Sequence, residues 1–170
     1  MRLDNKELVS EIKKGKLFIF PTDAGYCMGC NALKQKAVNK LVELSNGEIE
    51  LLAPSKEWVG ENFRIRKSYV EQLPGPFIYV LRAKRYVKAE GGNAFKVRMP
   101  EHSFTKVVGQ AKVPVAFAEI GNFTELKRIP PKIARKADFV VDAGRIERHP
   151  LSVVDFTGNI PKILLKREHI

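Results

Sequence analysis

The sequence predicts an α/β domain in which helices flank a twisted, mixed, open sheet, and three observations predict it. Apolar runs of strand length, among them "LFIF", "VPVAFA" and "FVV", alternate with segments whose apolar residues recur at helical spacing. Rigid turns, "LPGP" above all, punctuate the alternation. At 170 residues and 44% hydrophobic content the chain is about one domain long and can bury a core, so residues 1–170 are expected to form a single domain. Helices and strands that alternate throughout build layers around a sheet.

Taken in order, Asp4 stands where an N-cap is needed and Glu7 three residues on completes a capping-box spacing. Leu8 and Ile12 lie one turn apart, and Gly15 stops this first helix. "GKLFIF" then carries four apolar residues in a row, too short and too aromatic for a helix, and predicts a buried strand from Leu17 to Phe20 ended by Pro21. The stretch "IFPTDAGYCMGC" is therefore expected to leave the strand into a glycine-containing loop at a carboxyl end, where open α/β sheets place ligands. Ala37, Val38, Leu41 and Val42 mark a second helix that Asn46-Gly47 ends; "IELLA" is strand-like, and Ser55 opens a short helix through "KEWVGENF".

After "LPGP", the stretch "FIYVLRA" reads as a strand, followed by a turn at Gly91-Gly92, a strand "FKVRMP" and a helix capped by Ser103 through "FTKVVGQA". "VPVAFAEI" is a core strand, and "PPKIARKA" is a helix with proline near its first turn. "DFVVDAG", "SVVDF" and "KILLK" are three more short strands.

Charge is the strongest global signal: 30 Lys and Arg against 19 Asp and Glu give +11, a surface that attracts nucleotides, polynucleotides or other polyanions. The cations are spread, with local clusters at "FRIRKSY", "LRAKRYVK" and "LLKREHI", and aromatic residues do not interleave with them as in a base-stacking module. Arg64, Arg66 and Lys67 are the RNA-contact candidates on charge alone. No apolar run is long enough to span a membrane and no leader-like segment precedes Ser10, so a cytoplasmic location without a membrane partner is expected. Cys27 and Cys30 are spaced C-x-x-C, but zinc would need two further ligands that His102, His149 and His169 do not supply at a compatible spacing. No metal is expected, and two small residues in a tight spot is the favoured reading.

The order of four motifs resembles the YrdC-like domain family, whose best-known members are threonylcarbamoyl-AMP synthases. "PTDAGYCMGCNA" is similar to its P-T-[DE]-T-x-Y-G-L-x-x-x-A signature, "LPGPFIYVL" to its Leu-Pro-Gly-Pro strand, "FKVRMPEH" to its V-R-x-P element, and "HPLSVVDF" to its P-S-T-V-V-D segment. The resemblance implies a basic concave site on the sheet that takes ATP, L-threonine and bicarbonate, makes threonylcarbamoyl-adenylate and pyrophosphate, and serves tRNA threonylcarbamoyladenosine modification. It implies Thr22 and Tyr26 as amino-acid contacts, Arg98 as the partner of a carboxylate or phosphate, and Ser152 as the late serine.

The departures bear on activity. Ala24 stands at the signature's second threonine, and Ser45, Asn46, Gly47 and Glu48 occupy the place where the synthases carry K-x-R for the ATP phosphates. The polar Ser-x-Asn that ends the core strand of the synthases is matched to Ala118-Glu119-Ile120. Lys40, Arg64 or Arg66 would have to replace the missing cations. The expectation is a divergent family member, an RNA- or nucleotide-binding module with weak or no synthase activity, that partners tRNA or duplex RNA and the modification machinery. The alternative is an active L-threonylcarbamoyladenylate synthase with altered ATP contacts, which alone would need ATP and Mg.

Overall fold

Asp4 starts the chain's first helix as expected, its carboxylate accepting the Glu7 N–H at 2.8 Å. A computed structural model describes residues 3–85 and 94–167; the Gly91-Gly92 turn and His169 lie outside them. The elements in chain order are α1 (Asn5–Lys13), β1 (Phe18–Thr22), β2 (Gly25–Asn31), α2 (Gln35–Leu44), β3 (Glu50–Leu52), α3 (Lys56–Asn62), α4 (Lys67–Val70), β4 (Phe77–Arg82), β5 (Ala94–Arg98), α5 (Phe104–Ala111), β6 (Val115–Glu119), α6 (Pro131–Ala134), β7 (Phe139–Val140), β8 (Leu151–Asp155) and β9 (Lys162–Arg167). The strands form one mixed sheet in the order β7-β1-β2-β6-β3-β5-β4-β8-β9.

Alternation sorts the apolar side chains onto two faces. Phe18 and Phe20 point to one face, with Phe117 and Val115, and are covered by Ile12 of α1 and by Phe104, Val108 and Ala111 of α5. Ile19, Tyr26, Met28 and Cys30 point to the other and meet Ala37 and Leu41 of α2. Because both faces are covered here, β1 is apolar at nearly every position, the pattern of a doubly buried strand. Further along the sheet, Val59 and Val70 of α3 and α4 pack on Tyr79, Leu81 and Val97.

The expected loop after Pro21 is a strand. β1 continues through Pro21 and Thr22, turns at Asp23-Ala24, and returns as β2 with Thr22 opposite Gly25 and Phe20 opposite Cys27. Pro21 is tolerated because β7 pairs only with Phe18 and Ile19, with Val141 N–H reaching Ile19 O. The missing proline donor therefore faces the side where the neighbouring strand has already ended. The glycines of the stretch have separate reasons. Gly25 has φ of +123°, and a Cβ there would sit 3.1 Å from Phe123 O.

Gly29 has ordinary backbone geometry but no room: a Cβ would lie 2.8 Å from the Phe20 ring and 2.9 Å from Ala116 O. Gly29→Ala is accordingly expected to cost about 1–3 kcal/mol through overpacking, read as a lower urea midpoint at unchanged slope. A second local difference concerns α5. Ser103 has helical backbone angles and makes no side-chain cap; His102 does the work, its Nδ1 accepting Phe104 N–H at 3.0 Å.

Candidate functional site

The β1–β2 turn is held by its own side chains. Thr22 Oγ1 donates to Gly25 O at 2.7 Å and accepts Ala24 N–H at 3.0 Å, so this hydroxyl shapes the turn. Asp23, 1% exposed, forms an ion pair with Arg98 Nη2 at 2.5 Å, and Arg98 itself is 2% exposed. The other Asp23 carboxylate oxygen accepts Glu101 N–H at 3.0 Å, and its carbonyl accepts His149 N–H at 2.8 Å. Arg98 Nε donates to Phe77 O at 3.3 Å. One buried pair thus ties together the hairpin, the ends of β4 and β5, and the segment before β8.

Cross-strand register shows which residues share this side of the sheet. Cys27 lies opposite Glu119 of β6, and Glu50 of β3 lies opposite Phe117. Leu52 lies opposite Arg98, which places Arg98 on the same side. Ile78, Leu151 and Val153 continue it, with Ala24 packed against them. The site face is therefore made of Thr22, Asp23, Cys27, Glu50, Arg98, Glu119 and Leu151. Burial pushes the Cys27 thiol strongly upward, the Glu50 and Glu119 carboxylates push the same way, and Arg98 opposes them. Cys30, on the other face, is pushed up to about 12 by burial. Both thiols are buried and held protonated, which suits packing rather than thiolate chemistry.

Tyr26 and Ser152 do not join this group. The Tyr26 ring lies on the opposite face, where its hydroxyl donates to Gly144 O at 2.7 Å and accepts Ala143 N–H at 3.0 Å. Burial, with Asp142 adding to it, raises its pKa. Ser152 lies opposite Phe77, and its neighbour Val154 packs with Tyr79 on the far side. Leu151 and Val153 are the β8 residues on the site side. Laying P-S-T-V-V-D over Pro150–Asp155 puts the motif's serine at Leu151 and its threonine at Ser152, a signal present in the motif itself and missed.

β6 needs a similar correction. Ala118 and Ile120, expected to face a nucleotide, point away from Thr22 and line a cavity of about 190 Å³ with Ser45, Asn46, Met28 and Lys136, a cavity whose wall Glu119 also joins. Glu119 is the strand residue that faces the site. None of Lys40, Arg64 and Arg66 lines that cavity; the two arginines line a different one, beside Tyr69 and Phe156. There the fold interleaves aromatic rings with cations although the sequence does not.

His102, beside Asp23, gives this region a pH response. Burial lowers its pKa and the nearby Asp23 partly opposes the shift. A depressed histidine is neutral when folded, so the unfolded chain binds the proton first. Its contribution to stability is full above the ordinary histidine value of about 6.5 and is lost as pH falls through the lower folded value. His102→Asn keeps a side-chain cap for α5 and is expected to flatten that acid-side loss in urea unfolding measured from neutral pH downward. An unchanged pH profile would remove His102 as its source.

A family model named Sua5_yciO_yrdC, described as "Telomere recombination", matches residues 10–167. The chain belongs to the Sua5/YciO/YrdC family. YciO of Escherichia coli strain K12 is 21% identical over 93% of this chain and 86% of its own length. Its crystal structure superposes with a TM-score of 0.81 over 96% of this chain and 90% of that one, at 16% identity. The crystal structure of Pyrococcus abyssi Sua5 complexed with L-threonine gives 0.80 at 22% identity over 96% of this chain, which spans only 55% of that protein. A threonylcarbamoyl-AMP synthase of Buchnera aphidicola is 32% identical over 62% of this chain and 70% of its own. The Sua5/YciO/YrdC fold is thereby established, and no helix among the described residues is long and apolar enough to cross a membrane.

Proposed function

We propose that this protein serves tRNA threonylcarbamoyladenosine modification as an RNA- or nucleotide-binding module with weak or no synthase activity, acting in the cytoplasm beside the modification machinery. The observation that carries this reading is the charge of the site face. Around Thr22 and Cys27 it presents Asp23, Glu50 and Glu119 with Arg98 as the buried partner of Asp23. A triphosphate brought to the rim of this face meets the exposed Glu119 carboxylate, which repels it by about 1 kcal/mol or more at short range, whereas the charge of Asp23 is neutralised by Arg98. Adenylyl transfer depends on positioning and charge neutralisation, and an acidic side chain at Glu119 works against that requirement.

The net charge of +11 supports the RNA half of the reading. Binding to tRNA or duplex RNA through Arg64, Arg66 and Lys67 would weaken as salt rises, because phosphate contacts release counterions. A second reading, an active synthase, draws on Thr22 and Arg98 standing on one face and on the relatives that carry the synthase name. In that reading L-threonine, ATP and Mg are taken up, with Thr22 and Arg98 as the framework of the pocket. Tyr26 and Ser152, on the other face of the sheet, are not part of that framework. The assay is pyrophosphate release from ATP, L-threonine and bicarbonate: a module releases little, and an intact synthase releases it at ordinary enzyme rates.

A further inference from the structure

We infer that the cavity between α4 and the β8–β9 turn is a binding pocket for one unpaired nucleotide of an RNA, with Arg64 and Arg66 on its phosphate and its base against Tyr69 and Phe156. The inference rests on the RNA-binding reading above and locates it. The cavity, about 210 Å³, is lined among others by Arg64, Arg66, Tyr69, Phe156, Asn159 and Pro161.

Each wall has a structural cause. Arg64 and Arg66 flank Ile65, which packs into the core beside Phe63 and Leu73, so the two exposed guanidinium groups are presented from one anchored segment. That segment is pinned by Arg64 N–H to Arg82 O at 2.8 Å. Tyr69 follows in α4 and packs edge-to-face on Phe156 at 4.8 Å, and Phe156 packs in the same way on buried Tyr79 at 4.9 Å. The rings are therefore set before any ligand arrives. The one carboxylate in the adjoining turn, Asp155, accepts Thr157 N–H at 2.8 Å and its hydroxyl at 2.6 Å, and its charge is offset by Lys162 and Arg82. At Gly158 a Cβ would have nothing closer than 3.9 Å, so the rim is open.

Two planar cations, two ordered rings, a proline and an amide make a combination suited to a nucleotide. The guanidinium forks match phosphate oxygens, and the Asn159 amide can donate to and accept from a base edge. A base must leave its stack to reach the rings. In A-form duplex RNA the bases are stacked and buried, whereas loops, bulges and ends offer them to aromatic side chains. The pocket is distinct from the face that carries Thr22 and Arg98.

The test is fluorescence anisotropy at low salt with a short labelled single-stranded RNA and a blunt duplex of the same sequence. It compares wild type, Tyr69→Leu, Asn159→Asp and the Arg64→Gln/Arg66→Gln pair, each checked for an unchanged thermal midpoint. Asn159 is exposed in a turn, so its variant places a charge in the pocket without touching the core. The expected result is tighter binding of the single strand than of the duplex. Tyr69→Leu should weaken the single strand about tenfold with under about twofold change for the duplex. Asn159→Asp should act in the same direction, and the arginine pair should weaken both RNAs. Equal binding of both RNAs, unmoved by Tyr69→Leu and Asn159→Asp, overturns the pocket and leaves the RNA reading standing. No binding of either RNA overturns the RNA reading itself.

Discussion

Asp23→Ala, with Arg98 left in place, is expected to lower unfolding free energy by about 3–5 kcal/mol, the range for breaking a buried ion pair by removing one partner. The pair is 2.5 Å apart with both residues almost wholly buried, and the lost carboxylate also accepts Glu101 N–H. Truncation strands a guanidinium away from water and a backbone donor beside it. For a domain of this size each kcal/mol moves the thermal midpoint by about 2–4 °C, so a drop of roughly 6–20 °C is expected. Replacing both partners, Asp23→Ala with Arg98→Met, should recover part of the loss because no charge is then stranded. Urea unfolding of the two single variants and the double closes a thermodynamic cycle. A coupling near zero would mean that the pair is not what joins the hairpin to β5.

The second large effect is catalytic: pyrophosphate release from ATP, L-threonine and bicarbonate is expected to be about a hundredfold or more below that of an intact synthase. The family's two phosphate cations are replaced by Ser45 and Gly47, and Glu119 faces the site from β6. A charge-assisted contact contributes about 1.5–3 kcal/mol, so the loss of two corresponds to that factor or more in rate. The structure also decides which restoration is worth making. Gly47 has φ of +85°, a left-handed conformation that an arginine would adopt only under strain, and Asn46 before it has φ of +57°. Ser45 and Glu119 both line the cavity that Ala118 and Ile120 line, on the side of the sheet away from Thr22. The informative variant is therefore Ser45→Lys with Glu119→Ser, expected to raise ATP affinity measured by calorimetry by about tenfold or more. Wild-type turnover at ordinary enzyme rates would overturn the reading of these replacements.

Much of the architecture was legible because local chemistry and tertiary structure agree. Asp4, Ser55, the aromatic run before Pro21 and the apolar core of "VPVAFA" each specify an element through bonds or burial that any surrounding fold would reward. The stretch Thr22–Cys30 was misread for an equally physical reason. Gly25 and Gly29 signal a loop by composition, but one supplies a positive φ and the other a gap between Phe20 and the Ala116 carbonyl. Only the neighbouring strands make that gap necessary.

The site divides along the same line. Residue types and motif order were enough to name the family, the fold and the departures at 45–47, since these depend on which side chains exist. Which of them meet was beyond the sequence, because strand register has a period of two and one step of misalignment moves a side chain through the sheet. That step separates Ser152 from Leu151 and Ala118 from Glu119, and so decides which of each pair stands on the side of Thr22 and Arg98. Phe156 and Tyr69 are likewise far apart in the chain, and the parallel pairing of β4 with β8 carries Phe156, just after β8, against Tyr69 of α4 beside Arg64 and Arg66.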